Sequence, residues 1–167
     1  MTEPREPRIM TAEEQERQRR LTDVMWRIRH FAGAASASAR TPADPQTGER
    51  WDRGQVLAHV AEMLPYWLEQ AKLVAASGNG IPFGRVKSDL ERVAAIERDR
   101  NENPEALLSR MDLEIDEVRA WILCLDESNW AQTGTHQTRG EMSVARIIDE
   151  FVLDHLEEHA EQLEQTE

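Results

Sequence analysis

The sequence predicts an all-α protein, a four-helix bundle with a short extra helix between the second and third long helices. Three observations carry that expectation. Apolar residues recur every three or four positions along four long stretches, the period of one helix face. Capping and stop residues mark the ends of those stretches. No segment sustains the period-two alternation of a half-buried strand, so no strand is required anywhere.

Residues 1–10 read as a mobile N-terminal arm ahead of a single domain over 11–167. Thr11 and Glu14 match the reciprocal capping box that opens a helix. Leu21, Val24, Met25, Ile28, Phe31 and Ala35 then form one apolar stripe, predicting a first helix over 11–38. Pro42, Pro45 and Gly48 make the loop that follows.

Asp52 can cap a second helix over 52–76, striped by Val56, Val60, Met63, Leu64, Trp67 and Ala71, with His59 beside Val56 and Met63. Ser77-Gly78-Asn79-Gly80 stops it, because glycine and asparagine take left-handed conformations readily. Ser88 and Glu91 predict a capped short helix over 88–98. Asn103-Pro104 is a further start, since the missing proline N–H is harmless in a first turn. Leu108, Met111, Ile115, Val118, Ile122 and Leu125 give the most regular stripe, over 104–126. Residues 128–142, with Gly134 and Gly140, read as loop. Val144, Ile148, Phe151, Val152, His155, His159 and Leu163 predict a last helix over 143–164. Four inward-facing stripes are what a bundle needs.

Bulk properties exclude several function classes. A chain of 167 residues can bury a core without disulfides. Its 32 acidic against 20 basic side chains leave a formal charge of −12, which repels a phosphate backbone, so no nucleic-acid partner is expected. No run approaches the ~18 apolar residues of a membrane span, and residues 1–8 carry prolines and charges rather than a secretory leader. The single Cys124, between Leu123 and Leu125, reads as a buried structural thiol in a cytoplasmic protein. Glycine-rich phosphate loops, Cys-x-x-Cys and nucleophile elbows are missing from the sequence.

Histidine spacing carries the chemistry. His155 and His159 lie four residues apart in Asp154-His155-Leu156-Glu157-Glu158-His159, on the apolar stripe of the last helix. Residues at i and i+4 have Cβ atoms roughly 5–6 Å apart, so two imidazoles there can share an ion about 2.0–2.1 Å from each nitrogen. His59, from the stripe of the second helix, can supply a third. A single helical histidine is ordinarily a surface residue or a hydrogen-bonded core residue. Two on an inward stripe would each cost ~1–3 kcal/mol if left unpartnered, and a shared metal removes that cost. Three imidazoles leave a position open for water or substrate, as catalytic sites do. Imidazole suits zinc, nickel, copper or iron. The expected cofactor is a divalent transition metal, and the histidine spacing does not choose among these.

Glu62 and Glu158 each follow a histidine by three residues, and either reads as a general base, an outer partner of the ligand, or a plain surface glutamate. Glu62 is the candidate catalytic residue. His30 lies off its helix stripe and His136 falls in the polar loop, so both are weaker candidates. Trp26, Trp51, Trp67, Trp121 and Trp130 read as core or as pocket walls.

These residues resemble the DinB/YfiT-like superfamily of metal-binding four-helix bundles, over about residues 20 to 165. Trp51 followed by Val56-Leu57-Ala58-His59-Val60 is similar to that family's first-ligand segment. Thr135-His136-Gln137 through Gly140-Glu141-Met142-Ser143 resembles its loop before the last helix, with Gln137 where proline is frequent. Asp154-His155-x-x-x-His159-x-x-Gln162-Leu163 resembles its closing ligand motif, with Glu158 where a histidine often stands. The resemblance implies metal binding by His59, His155 and His159. It also implies a homodimer, and an activity among thiol-dependent isomerases and transferases, which use mycothiol or bacillithiol, or metal-dependent hydrolases. The expected partner is a small-molecule substrate, with a low-molecular-weight thiol as a candidate co-substrate. A non-catalytic metal-bound binding or sensing module is the alternative.

Overall fold

The computed structural model describes residues 8–167; residues 1–7, most of the expected N-terminal arm, lie outside the described residues. Helix α1 (Ala12–Ala34) opens on the predicted capping box, with the Thr11 hydroxyl accepting from the Glu14 N–H and the Glu14 carboxylate from the Thr11 N–H. It ends four residues before the predicted boundary, where Ala35 turns extended. Helix α2 (Arg53–Ser77) is capped by Asp52 together with Gln55. It stops where Gly78, Asn79 and Gly80 all take positive φ.

The short helix α3 (Leu90–Asp99) is present, but its cap is Asp89 rather than Ser88. The Asp89 carboxylate accepts the Arg92 N–H at 3.0 Å, so the capping-box reading of Ser88 and Glu91 was one residue out of register. Helix α4 (Pro104–Cys124) starts at Asn103-Pro104 as expected. The predicted last helix is three segments in line: α6 (Val144–Ile147), a π-helical segment (Ile148–Asp154) and α7 (His155–Glu164).

One continuous core joins the inner faces of α1, α2, α4 and the C-terminal helix. The predicted stripe residues Leu21, Ile28, Val56, Met63, Met111, Ile122, Ile148 and Val152 are each under 2% exposed. Buried this fully, each aliphatic side chain stabilises the fold by roughly 1.5–3 kcal/mol. Helix α1 packs on α7 and α4, while α2 packs on α3, α4 and the C-terminal helix. Ion pairs pin α1 to the helix carrying His155 and His159. Arg17 grips Asp149 through Nε and Nη2 at 2.7 and 2.9 Å, and Arg20 reaches both Asp154 and Glu157 at 2.7 Å.

Two expectations are corrected. The stretch 128–142 is not loop, and strands are present. Helix α5 (Glu127–Ala131) precedes a hairpin of β2 (Thr133–His136) and β3 (Gly140–Ser143), and β1 (Ile81–Phe83) adds to β2 in parallel, with Ile81 opposite Gly134 and Phe83 opposite His136. Strands of three or four residues are too short to show a period, and the β1–β2 pairing joins segments far apart in the chain. Gly134 is required there, because a Cβ would lie 2.7–2.9 Å from Val74, Phe83 and the Ile81 carbonyl. The second correction is Cys124, which is exposed rather than buried. Among the described residues no helix is long and apolar enough to cross a membrane.

Candidate metal centre

Helices α2 and α7 bring the three predicted histidines together. His59 and His159 are buried and His155 is half-buried, with one ligand atom from each lying within 4.8 Å of the others. The Nε2 atoms of His59 and His155 are 3.3 Å apart. The π-helical segment ends immediately before His155, whose N–H bonds the Val152 carbonyl. Such wide turns recur at functional sites in helices.

Two of the imidazoles are oriented by an acceptor on the far side of the ring. His59 Nδ1 lies 2.9 Å from Glu62 Oε1, and His159 Nδ1 lies 2.8 Å from Gln162 Oε1. A carboxylate or an amide oxygen can only accept, so both Nδ1 atoms carry the proton and both Nε2 lone pairs face the shared space. His155 turns its Nε2 toward that of His59. With His59 Nε2 unprotonated, the 3.3 Å pair is either one N–H···N hydrogen bond or two lone pairs that a cation between them would join.

The residues therefore fit a metal ion. His159 Nε2 is buried and has no hydrogen-bond partner among the described residues. Leaving such an atom unsatisfied costs ~1–3 kcal/mol. Two ligands about 2.0–2.1 Å from a tetrahedral ion stand about 3.3 Å apart, the spacing of the first pair. Burial holds all three rings neutral, the form that ligates. Desolvation pushes His59 and His155 well below the ordinary histidine value and lowers His159 to about 4.

Glu62 is neither exposed nor free. Arg85 Nη2 donates to both of its oxygens at 2.6 and 2.7 Å, and the same guanidinium lies 3.9 Å over the Tyr66 ring. Burial raises the Glu62 pKa, and Arg85 opposes that shift. The geometry makes Glu62 an orienting partner of His59, whereas Glu158 is exposed as a plain surface residue. A groove of about 460 Å³ between α2 and α3 reaches Glu62, Tyr66 and Arg85.

His136 was expected in a polar loop; it is instead a buried residue of β2. Its ring sits among Trp67, Phe83 and Phe151, and its Nε2 lies 3.2 Å from the Arg85 carbonyl. Gly84 permits this approach: it has φ of +86°, and a Cβ there would stand 2.3 Å from the His136 ring. His30 is exposed and stacks on Trp26, away from the cluster. Trp51 stacks on His159 and meets His59 edge-on, which makes it a wall of the site. Arg85 and Gln162 were not assigned roles from sequence. Gln162 repeats the i+3 offset of Glu62 from His59 and could have been found that way. Arg85 lies outside any periodic element and gave no such signal.

Fold and site together define a helical bundle with an imidazole cluster between its second and last long helices. The chain belongs to the DinB superfamily, whose model matches residues 11–163. YfiT from Bacillus subtilis, described as a probable metal-dependent hydrolase with an unusual four-helix bundle topology, superposes with a TM-score of 0.74 at 15% identity, over 98% of this chain and 90% of that one. A mycothiol-dependent maleylpyruvate isomerase superposes with a TM-score of 0.67 at 16% identity, over 92% of this chain and 63% of the isomerase. This chain thus spans under two thirds of the isomerase's length. An uncharacterized protein from Clostridium difficile 630 gives a TM-score of 0.64 at 8% identity, over 93% and 96% of the two chains. At these identities the likeness is one of fold. No curated protein matches in sequence.

Proposed function

We propose that the protein is a metal-dependent enzyme acting on a small molecule, with His59, His155 and His159 holding one divalent transition metal ion, zinc or nickel ahead of iron. The observation that carries this reading is the buried Nε2 of His159, without a partner among the described residues, grouped with the ligand atoms of two further imidazoles. A metal ion in such a site supplies a Lewis acid that favours the deprotonated form of a thiol or water. The protein's own part is to keep three imidazoles neutral, to fix the orientation of His59 and His159 through Glu62 and Gln162, and to shield them behind Trp51. Glu62, tied to Arg85, positions His59 in this scheme.

A low-molecular-weight thiol is the proposed co-substrate, in a transferase or isomerase reaction. The fold shared with a mycothiol-dependent enzyme supports it. Metal analysis of purified protein tests the centre: about one ion per chain is expected in the wild type and almost none in His159→Ala, with the helical circular dichroism retained. Wild-type protein that takes up no zinc, nickel or iron overturns the reading. Cobalt-substituted protein tests the thiol, because a thiolate-to-metal charge-transfer band should appear on adding thiol and be lost in His59→Ala. A silent spectrum with several thiols favours a water-activating hydrolase or a non-catalytic module. We place the protein in the cytoplasm, where the exposed Cys124 stays reduced. A homodimer is proposed from the exposed Trp26 on a long helix, and sedimentation as a monomer at micromolar concentration would exclude it.

A further inference from the structure

Arg92 has no role in holding the histidines, yet it stands beside them. It occupies the third position of α3, where Asp89 caps its backbone N–H. Its half-buried guanidinium lies over Trp51, 5.6 Å from the ring centroid. That indole is the one stacked on His159 and edge-on to His59. Among the described residues the guanidinium donates only through Nη1, to the Lys87 carbonyl at 2.8 Å. Among the described residues no carboxylate lies within 4.0 Å of it. The neighbouring cations are otherwise engaged: Arg85 by Glu62, and Lys87 by Asp44 at 3.2 Å.

This arrangement is costly as it stands. Burial disfavours the charged form of Arg92. A divalent ion at the cluster would be repelled by it as well. Glu62, the carboxylate bonded to His59, is already held by Arg85. Glu62, Glu49 and Asp89 temper the Arg92 charge from a distance, and among the described residues none of them bonds it. A guanidinium with free donors in a planar fork is matched by a carboxylate, which would satisfy those donors and offset the charge at once.

We propose that Arg92 binds the carboxylate of an anionic small-molecule substrate whose reacting end reaches the three-histidine centre, with the Trp51 ring as the wall between the two contacts. The inference rests on the metal-centre reading above and adds the substrate class to it.

Paired chelators test it without knowledge of the substrate or reaction. Acetohydroxamate, succinic monohydroxamate and glutaric monohydroxamate carry the same metal-binding head, and the last two add a carboxylate on arms of two lengths. Affinities are measured by calorimetry on protein of known metal content. At least one carboxylated probe should bind wild-type protein about tenfold more tightly than acetohydroxamate, as one charge-assisted contact of ~1.4 kcal/mol allows. In Arg92→Gln that ratio should fall to near one while acetohydroxamate affinity holds, and Arg92→Lys should recover part of it. Metal-loaded wild type without a preference for either carboxylated probe overturns the inference and leaves the metal centre intact, as does a preference that survives in Arg92→Gln. Wild-type protein that binds no metal removes both.

Discussion

His159 concentrates the chemistry at the scale of single residues: one ring nitrogen is held by Gln162 and the other is buried without a partner among the described residues. The acceptors behind the ligands set how well the rings are aimed. Glu62→Gln or Gln162→Leu should therefore lower metal affinity by about 10–100-fold while the protein stays folded, measured by competition with a chromophoric chelator. Unchanged affinity in both variants would mean that the imidazoles are aimed by packing alone.

Acid should act on the same rings. In the unfolded chain a histidine titrates near ~6.5. In the native metal-free protein burial pushes His59 and His155 far lower and His159 to about 4. The unfolded state then binds more protons between those values, so the contribution to stability is complete above about 6.5 and is lost as pH falls toward about 4. The urea midpoint of chelator-treated protein should fall between pH 7.5 and 5, and less so in His155→Gln; a midpoint that rises over that range contradicts the assignment. That the three histidines come together was legible in sequence, because i, i+4 spacing and an apolar stripe are local properties. Arg85 and Arg92 were not, since their roles come from partners across the fold.

At the scale of elements, the starts of three long helices were legible because a cap is a short-range hydrogen bond. The short helix was misplaced by one residue because Ser88 and Asp89 are both good caps, and only the fold decides which carries the chain into α3. The small sheet was invisible, since its pairing depends on contacts distant in sequence. So was the π-helical segment, which lies under an unbroken apolar pattern. Helix junctions also hold constraints that sequence hides. A Cβ on Gly54, in the first turn of α2, would stand 2.0 Å from the Arg100 carbonyl at the end of α3, whereas one on Gly33 would meet nothing within 4 Å. Gly54→Ala is expected to destabilise the protein by ~1–3 kcal/mol through overpacking, and Gly33→Ala to stabilise it by up to ~1 kcal/mol. Thermal melts of the two variants shifting in the same direction would refute this account.

For the whole molecule, the proposed metal centre couples binding to folding. The proposed ligands come from α2 and α7, two elements widely separated in sequence, so an ion between them would hold native structure that the unfolded chain lacks. Free metal at 100 times its Kd should stabilise the fold by about 2.7 kcal/mol. For a domain of this size that raises Tm by roughly 5–10 °C. Calorimetry with and without a chelator measures the shift, and its absence in metal-loaded protein would place the ion elsewhere. The bundle as a whole was legible from periodicity alone. What joins the bundle to the sheet was not: His136 of β2 touches the Arg85 backbone, the Arg85 side chain holds Glu62, and Glu62 holds His59. These contacts work as a linkage of stiff levers, with its fulcrum in a hairpin that contributes no ligand. Slack anywhere along it becomes misalignment at the imidazole, so the accuracy of the centre is inherited from the part of the chain that looks most like mere connection.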